Sequence, residues 1–155
     1  MIANIHDFPG GSLVWIRPFL RQNTQLTGLV IENAHAVENM TDDFAQLIRL
    51  TTLKFFACTV SAPFIATFVA KVNGRLILPS LRDFDFRPYL PRLHATLLLK
   101  VVKLRLTNDA ATCPHITMRM DKDPDDLGED YELVLELRAL MKKYPRHCTF
   151  LFTPE

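Results

Sequence analysis

Leu50-Thr-Thr-Leu53-Lys-Phe55-Phe-Ala-Cys58 is the stretch that decides the fold, because it is either one isolated apolar strand or one unit of a repeat. Its centre, Leu53-Lys-Phe55, alternates apolar and polar residues as a half-buried strand does. Similar apolar-x-apolar pairs recur at intervals of 24 to 34 residues, and they begin at Leu29, Leu53, Phe84, Ile116 and Phe150. The residue three places before the pair is leucine in the first three units, at Leu26, Leu50 and Leu81. Such a period predicts about five repeated strand units.

Each interval between two pairs carries the apolar spacing of an amphipathic helix. Thr41 and Ser61 are predicted N-caps, and Pro63 falls in a first turn, where proline is tolerated. Lys142-Lys143 before Pro145 predicts the end of the last helix. A further helical pattern, residues 12–22, precedes the first pair. The predicted inward faces are Phe44, Leu47 and Ile48; Phe64, Ile65, Phe68 and Val72; Leu90, Leu93, Leu97, Val101 and Leu104; and Leu133, Val134, Leu137, Leu140 and Met141.

Alternating strands and helices imply parallel strands joined by right-handed crossovers. Two architectures fit this order: a solenoid with strands on one side and helices on the other, and an open doubly wound α/β sheet. A sheet covered on both faces needs continuously apolar strands, whereas a solenoid strand alternates because one face stays open. The residues beside and between the pairs are mostly polar, which favours the solenoid. They are Lys54, Phe56, Asp83, Asp85, Arg87, His115, Thr117 and Arg119.

The unit at 50–58, together with Leu-Pro-Ser-Leu-Arg-Asp-Phe-Asp-Phe at 78–86, resembles the long leucine-rich repeats of F-box-type and ribonuclease-inhibitor-like proteins. The resemblance implies a parallel strand on a concave face, a helix outside it, and a Cys or Asn that caps a buried turn. Cys58 fills that last place, and Ala34 and Tyr89 stand there in the neighbouring units. No F-box motif is visible. The resemblance therefore implies the substrate-recognition part of an F-box-type ubiquitin ligase receptor, without its ligase-recruiting part.

Composition limits the class of protein. The 155 residues fit one domain, residues 1–155, which is either whole or a fragment of a longer array whose uncapped ends would self-associate. A net charge of +1 gives no overall field for nucleic acid, and no apolar run is long enough for a membrane span. Three widely spaced cysteines, Cys58, Cys113 and Cys148, suit reduced thiols. We therefore expect a cytoplasmic or nuclear protein that binds neither nucleic acid nor membranes.

Several patterns typical of metal or catalytic sites are incomplete. Asp121, Asp123, Asp125 and Glu132 match the spacing of a calcium loop, but Asp126 stands where the turn needs glycine. Cys113-Pro-His115 and His147-Cys148 lack the usual spacing of zinc ligands. The glycines of residues 8–12 lack a phosphate-loop lysine, and the Asp83 and Asp85 pair has no nucleophile beside it. His6, His35 and His94 join no pattern. We expect no cofactor and no metal.

These observations predict a non-enzymatic interaction module whose open strand face binds a protein partner through the eight residues named above. Phe56 is the most informative of them, because an aromatic residue among charges is typical of a binding hot spot. The alternative is a small α/β enzyme or ligand-binding domain. Its site would lie at the C-terminal strand ends, around Asn33, Cys58, Tyr89 and the loop at 121–130. Strand order separates the two: chain order with helices on one face favours the module, and a reversal of order favours the cleft.

Overall fold

The structure is a computed structural model that describes residues 1–6, 11–89, 95–107, 115–120 and 131–152. It is an α/β fold in which helices pack on a mostly parallel sheet. A short 3-10 turn, Leu13–Ile16, precedes the first helix. The elements in chain order are β1 (Ile2–Ile5), α1 (Arg17–Gln22), β2 (Gly28–Glu32), β3 (His35–Ala36), α2 (Thr41–Ala45), β4 (Thr52–Val60), α3 (Ala62–Thr67), β5 (Lys71–Val72), β6 (Arg75–Leu76), β7 (Asp83–Tyr89), α4 (Ala95–Thr107), β8 (His115–Met120), α5 (Tyr131–Lys143) and β9 (Cys148–Phe152).

The strands of the main sheet follow one another in chain order. Every pair along the path β1-β2-β4-β7-β8-β9 is parallel, and β3 continues beside β4 beyond the end of β2. The strand order of the described residues contains no reversal. The predicted pairs align in register, so that one line across the sheet contains Leu29, Leu53, Phe84 and Ile116, and the next contains Ile31, Phe55, Phe86 and Met118.

Register corrects the predicted units at both ends of the sheet. Cys148 pairs with Ile116, so the last pair is Cys148-Thr-Phe150 and the predicted pair at Phe150 was displaced by two residues. The period-two pattern fits both choices, and only the neighbouring strand distinguishes them. At the other end β1 adds a sixth strand that the sequence did not predict. It pairs with β2, and the Ile2 side chain lies so close to Gly28 that a Cβ there would be 2.9 Å from it.

One face of the sheet forms the core. The residues of both aligned lines are fully buried on β2, β4 and β7, and side chains from the helices join them in a single cluster. The ring of Phe68, just after α3, has its centroid 5.2 to 6.2 Å from those of five other phenylalanines. This aromatic cluster ties α2 and α3 to β4 and β7. It consists of Phe44, Phe55, Phe64, Phe68, Phe84 and Phe86.

The expected inward positions of the deciding stretch are confirmed, since Leu50, Leu53, Phe55 and Cys58 are all fully buried. The Cys58 thiol lies 3.2 Å from the Phe56 carbonyl oxygen and 3.6 Å from that of Ile31 on the neighbouring strand. Asn33 and Ala57 hold equivalent positions before the buried Ala34 and Cys58, and both have left-handed backbone, with φ of 55° and 50°. Tyr89 does not take this place. It pairs with Thr59, because the register between β4 and β7 shifts after Phe56.

The two short helices α2 and α3 begin close to their predicted starts but end earlier, whereas α5 ends at Lys143, as predicted. Ser61 caps α3 by accepting a hydrogen bond from the Phe64 N–H, as expected. Thr41 is the first residue of α2 and not its cap, and its N–H donates to the side chain of Asn39. The predicted second helix stops at Thr67 instead of continuing to Val72, because a β-hairpin of β5 and β6 follows.

The long helices pack on the core with one change of phase. In α4 the predicted Val101 is fully buried, but Leu98 and Val102 are buried as well, and the predicted Leu97 and Leu104 are only partly buried. The helix is apolar nearly all round, so spacing alone does not set its inward face. Arg105 is also buried there, donates to the carbonyls of Phe68 and Leu78, and has its pKa lowered to about 10 by burial.

Of the other inward positions predicted for the helices, some are confirmed, one is wrong and some lie outside the described residues. In α5 Leu137 is buried and Leu140 and Met141 are partly buried, as predicted. Ile48, predicted to face the core, is 58% exposed because α2 ends before it. Leu90 and Leu93 lie outside the described residues, as do the side chains of Leu133 and Val134.

Candidate functional site

The side of the sheet opposite the core carries all eight predicted binding residues. Strand alternation places them there, since each stands between or beside the core positions of β4, β7 and β8. We call this surface the polar face. It comprises Lys54, Phe56, Asp83, Asp85, Arg87, His115, Thr117 and Arg119.

Register brings these residues into rows across three neighbouring strands. Asp83 pairs with His115 at the start of the strands, and Phe56 pairs with Arg87 near their ends. The middle row, in strand order, is Lys54, Asp85 and Thr117. Directly opposite residues on parallel neighbours lie close enough to interact, so the polar face is a contiguous surface.

Its polar groups are linked to one another. The Lys54 ammonium lies 3.0 Å from the Asp83 carboxylate, with both side chains about one third exposed. The His115 ring reaches hydroxyl oxygens on two strands, that of Thr117 at 3.4 Å and that of Thr149 at 3.2 Å. These contacts fix side-chain positions while leaving hydrogen-bonding groups accessible to a partner.

The middle row is less exposed than the sequence predicted. Asp85 was expected on a solvated, charge-balanced surface with Asp83, yet it is only 4% exposed, and Thr117 is 9% exposed. Phe56 is half-buried, and Arg87 and Arg119 are placed on this face by the backbone of their strands.

The polar face extends beyond the predicted residues. Glu32 on β2 pairs in register with Phe56, and its carboxylate lies 2.9 Å from the His6 ring. Thr149 on β9 pairs with Thr117 and contributes its hydroxyl to His115. The sequence did not indicate these residues, because the first and last pairs enclose apolar residues, Val30 and Leu151, and both strands were therefore predicted to lack a polar side. The alternation of Leu29, Val30, Ile31 and Glu32 would have indicated Glu32.

The alternative site at the C-terminal strand ends is weaker as a binding centre. The N–H of Asn33 donates to the Phe56 carbonyl at 3.1 Å, so it is not available to an anion. Cys58 is fully buried, and burial raises the pKa of its thiol, which disfavours the nucleophilic thiolate. Of Tyr89 the structure describes the backbone, and the loop at 121–130 lies outside the described residues.

Some residues of the incomplete metal-binding patterns lie within the described part of the chain, and others do not. Glu132 is exposed near the start of α5, and Cys148 is buried beside the half-buried His147. Cys113 and the aspartates at 121, 123 and 125 lie outside the described residues, as does His94. Within the described part of the chain, no three residues of the metal-binding types come together.

Two observations complete the description of the site's setting. Among the described residues, no helix has the length and apolar character that a membrane crossing requires. Comparison with known proteins finds no matching family model, no matching curated protein and no matching solved structure.

Proposed function

We propose that this chain is a non-enzymatic protein-interaction module that binds a protein partner through the polar face. In this proposal the fold is a right-handed solenoid like a leucine-rich repeat, with the polar face as its open strand surface. The supporting observation is that polar side chains stand in register across strands that follow chain order, while the helices described above pack on the other side. Stacked units of this kind form one core and leave a broad surface for contacts.

The chemistry of the polar face suits protein recognition. It combines a half-buried aromatic ring, Phe56, with ion-paired and hydroxyl groups in the neighbouring rows. Hot spots in protein interfaces commonly have an aromatic or Arg anchor surrounded by polar groups. We infer that Phe56 and Arg87 supply much of the binding energy, and that Lys54 and Asp83 govern orientation and specificity.

The left-handed backbone of Asn33 and Ala57, each followed by a buried residue, supports the proposed resemblance to leucine-rich repeats. The buried thiol of Cys58 contacts a carbonyl of the neighbouring unit, as the closing Cys of such a repeat would. We therefore propose, on the motif resemblance, that the module is the substrate-recognition part of an F-box-type ubiquitin ligase receptor in the cytoplasm or nucleus. The chain order of the described strands favours this module over an α/β enzyme with a cleft at a reversal of strand order.

The test compares capture of partners by the native chain and by a Phe56→Ala, Arg87→Ala variant. The matched control is Lys142→Ala, Arg146→Ala, which removes two exposed cations near the C-terminal end of α5. Partners retained by the native chain and the control are identified by mass spectrometry, purified, and titrated against all three proteins.

We expect the polar-face variant to bind the purified partner at least tenfold more weakly, a loss of about 1.4 kcal/mol. Capture that is equal for all three proteins would remove the polar face as the binding surface. A captured partner whose turnover in cells depends on ubiquitin would support the receptor role, and partners that are all turned over independently of ubiquitin would argue against it.

A further inference from the structure

A recess that shares no residue with the polar face lies between the end of α2, the β5–β6 hairpin and the segment that follows the hairpin. Its volume is about 440 Å³, within the range of sites that hold small ligands or a few side chains. We call it the hairpin cleft. Its walls include the apolar side chains of Ile48, Val72, Leu76 and Pro79 and the polar side chains of Asn73 and Arg75.

Two of the apolar walls are unusually exposed. Ile48 is 58% exposed and Val72 is 41% exposed, although both are large aliphatic side chains. A single exposed aliphatic residue is ordinary, but two that flank one cleft form an apolar surface with a shape. Burying them against a partner would remove apolar area from water.

The cleft is held by specific contacts. The Ser80 hydroxyl donates to the Ile48 carbonyl at 2.6 Å, which fixes the segment after the hairpin against the segment after α2. Val72 and Arg75 are opposite each other in the hairpin, so the apolar and the cationic side chain share one hairpin face. Asn73 and Gly74 form the turn between them with φ of 52° and 77°, and the space around Gly74 is open.

The surroundings of the cleft are basic. Arg75 lines it, and Arg49 follows the lining residue Ile48 in the chain. Both arginines are exposed, and neither takes part in the ion pairs found among the described residues. An apolar recess beside such cations complements an occupant that is both apolar and acidic.

We propose that the hairpin cleft docks a linear acidic peptide segment of a partner protein. One large apolar side chain of the segment enters between Ile48 and Val72, and Asp or Glu residues beside it meet Arg75 and Arg49. The cleft is formed by a helix end and the hairpin and shares no residue with the polar face. The proposal is therefore independent of the function assigned to that face.

The experiment selects peptides from a random 12-residue phage library on three immobilised proteins. They are the native chain, a Val72→Asp, Arg75→Glu variant, and a Leu135→Asp, Lys142→Glu control. The control makes the same kinds of change on α5, where Leu135 is 45% exposed and Lys142 is exposed. Circular dichroism and thermal melting verify that each variant is folded, and Arg75→Glu alone replaces the double variant if that one does not fold.

We expect the native chain and the control to enrich the same peptides, each with a large apolar residue and Asp or Glu within three positions of it. The cleft variant should bind a synthetic peptide of this set at least tenfold more weakly. Replacing the acids by Asn and Gln should weaken binding similarly. Raising the salt concentration from 0.05 to 0.5 M should also weaken it, because exposed charges are screened.

Several outcomes would overturn the proposal. One is that no peptide is enriched on the native chain and lost on the Val72→Asp, Arg75→Glu variant. Another is that the enriched peptides lack acidic residues. A native mass that doubles with concentration in the native chain but not in the cleft variant would assign the cleft to a second copy instead. Sedimentation with phosphatidylserine vesicles that is lost in the cleft variant would assign it to a membrane surface.

Discussion

At the scale of single residues, Cys58 makes stability depend on pH. Burial raises the pKa of its thiol above the ordinary value near 9. At higher pH the unfolded chain loses a proton that the folded chain keeps, so the free energy of unfolding falls as pH rises above about 9. In Cys58→Ala this fall should be shallower, by at most about 1.4 kcal/mol per pH unit.

Urea unfolding of the native chain and Cys58→Ala, at pH 8, 9 and 10 with reductant present, measures the difference. The other cysteines are unchanged in the variant, so their titration cancels in the comparison. Parallel pH dependences in the two proteins would show that the Cys58 thiol is not protected from ionisation by the fold.

Asp43 is the second residue whose role depends on tertiary contacts. It is 2% exposed, accepts a hydrogen bond from Arg21 at 2.9 Å, and lies 3.2 Å from the Arg17 guanidinium. Removing one partner of a buried ion pair costs about 3–5 kcal/mol. Because both arginines are partly exposed and can regain water, we expect Asp43→Asn to lower the free energy of unfolding by about 1–3 kcal/mol.

Asp42→Asn is the matched control, since Asp42 is exposed in the same helical turn. Its effect should stay within about 0.5 kcal/mol in chemical denaturation. Equal losses for the two variants would mean that only the helix dipole matters at Asp43. Both acids lie in the first turn of α2, where the helix dipole favours either one. Sequence alone does not distinguish them, because the arginines of Asp43 come from α1.

At the scale of elements, the segment between β4 and β7 shows where a local pattern fails. The apolar spacing of residues 60–72 predicts one helix, yet α3 ends at Thr67 and Val72 belongs to a hairpin. Asn73-Gly74 is a common two-residue hairpin turn, because both positions tolerate positive φ. That dipeptide would have indicated the hairpin, and with it one wall of the hairpin cleft, had it been weighed against the helical spacing.

Phe68 links α3 to the sheet and is the best test of how elements are held together. Its ring contacts five other buried phenylalanines, so truncation leaves a large cavity among rings that cannot all move inward. We expect Phe68→Ala to lower the free energy of unfolding by about 3–5 kcal/mol. Urea denaturation followed by circular dichroism gives the value.

Phe19→Ala is the control of the same chemistry, because Phe19 only partly packs against the core. It should cost about 1–2 kcal/mol, in keeping with its smaller buried area. A loss at Phe68 no greater than that at Phe19 would contradict the view that the aromatic cluster fastens α2 and α3 to the strands.

At the scale of the whole molecule, the α/β class and the inward and outward sides of β2, β4, β7 and β8 were predictable. The period-two alternation of these strands indicates both the class and the inward side, because a shift of one residue would expose Leu53 and bury Lys54. The edges were not predictable. β1 is short, with two exposed and two partly buried residues, and the position of β9 depended on a partner strand. The low exposure of Asp85 was not predictable either, because the alternation within one strand gives the side of the sheet and not the exposure of a residue on it.

The chain order of the strands predicts how far a local loss of stability spreads. In a stack of units each strand pairs only with its neighbours, so a local loss of stability should spread over one or two units and not over the whole chain. Leu137 is 2% exposed on α5, next to the sheet edge formed by β9. We expect Leu137→Ala to speed native-state hydrogen exchange in α5, β8 and β9 by at least tenfold and to leave β2 and β4 unchanged.

Leu53→Ala is the comparison, because Leu53 is fully buried on β4, between β2 and β7 in the strand order. It should speed exchange on both sides of β4, since units in both directions lose a packed neighbour. Mass spectrometry of peptic fragments resolves the strands. If Leu137→Ala accelerated hydrogen exchange in every strand equally, the sheet would unfold as one cooperative unit. That result would contradict the local unfolding expected of the proposed solenoid.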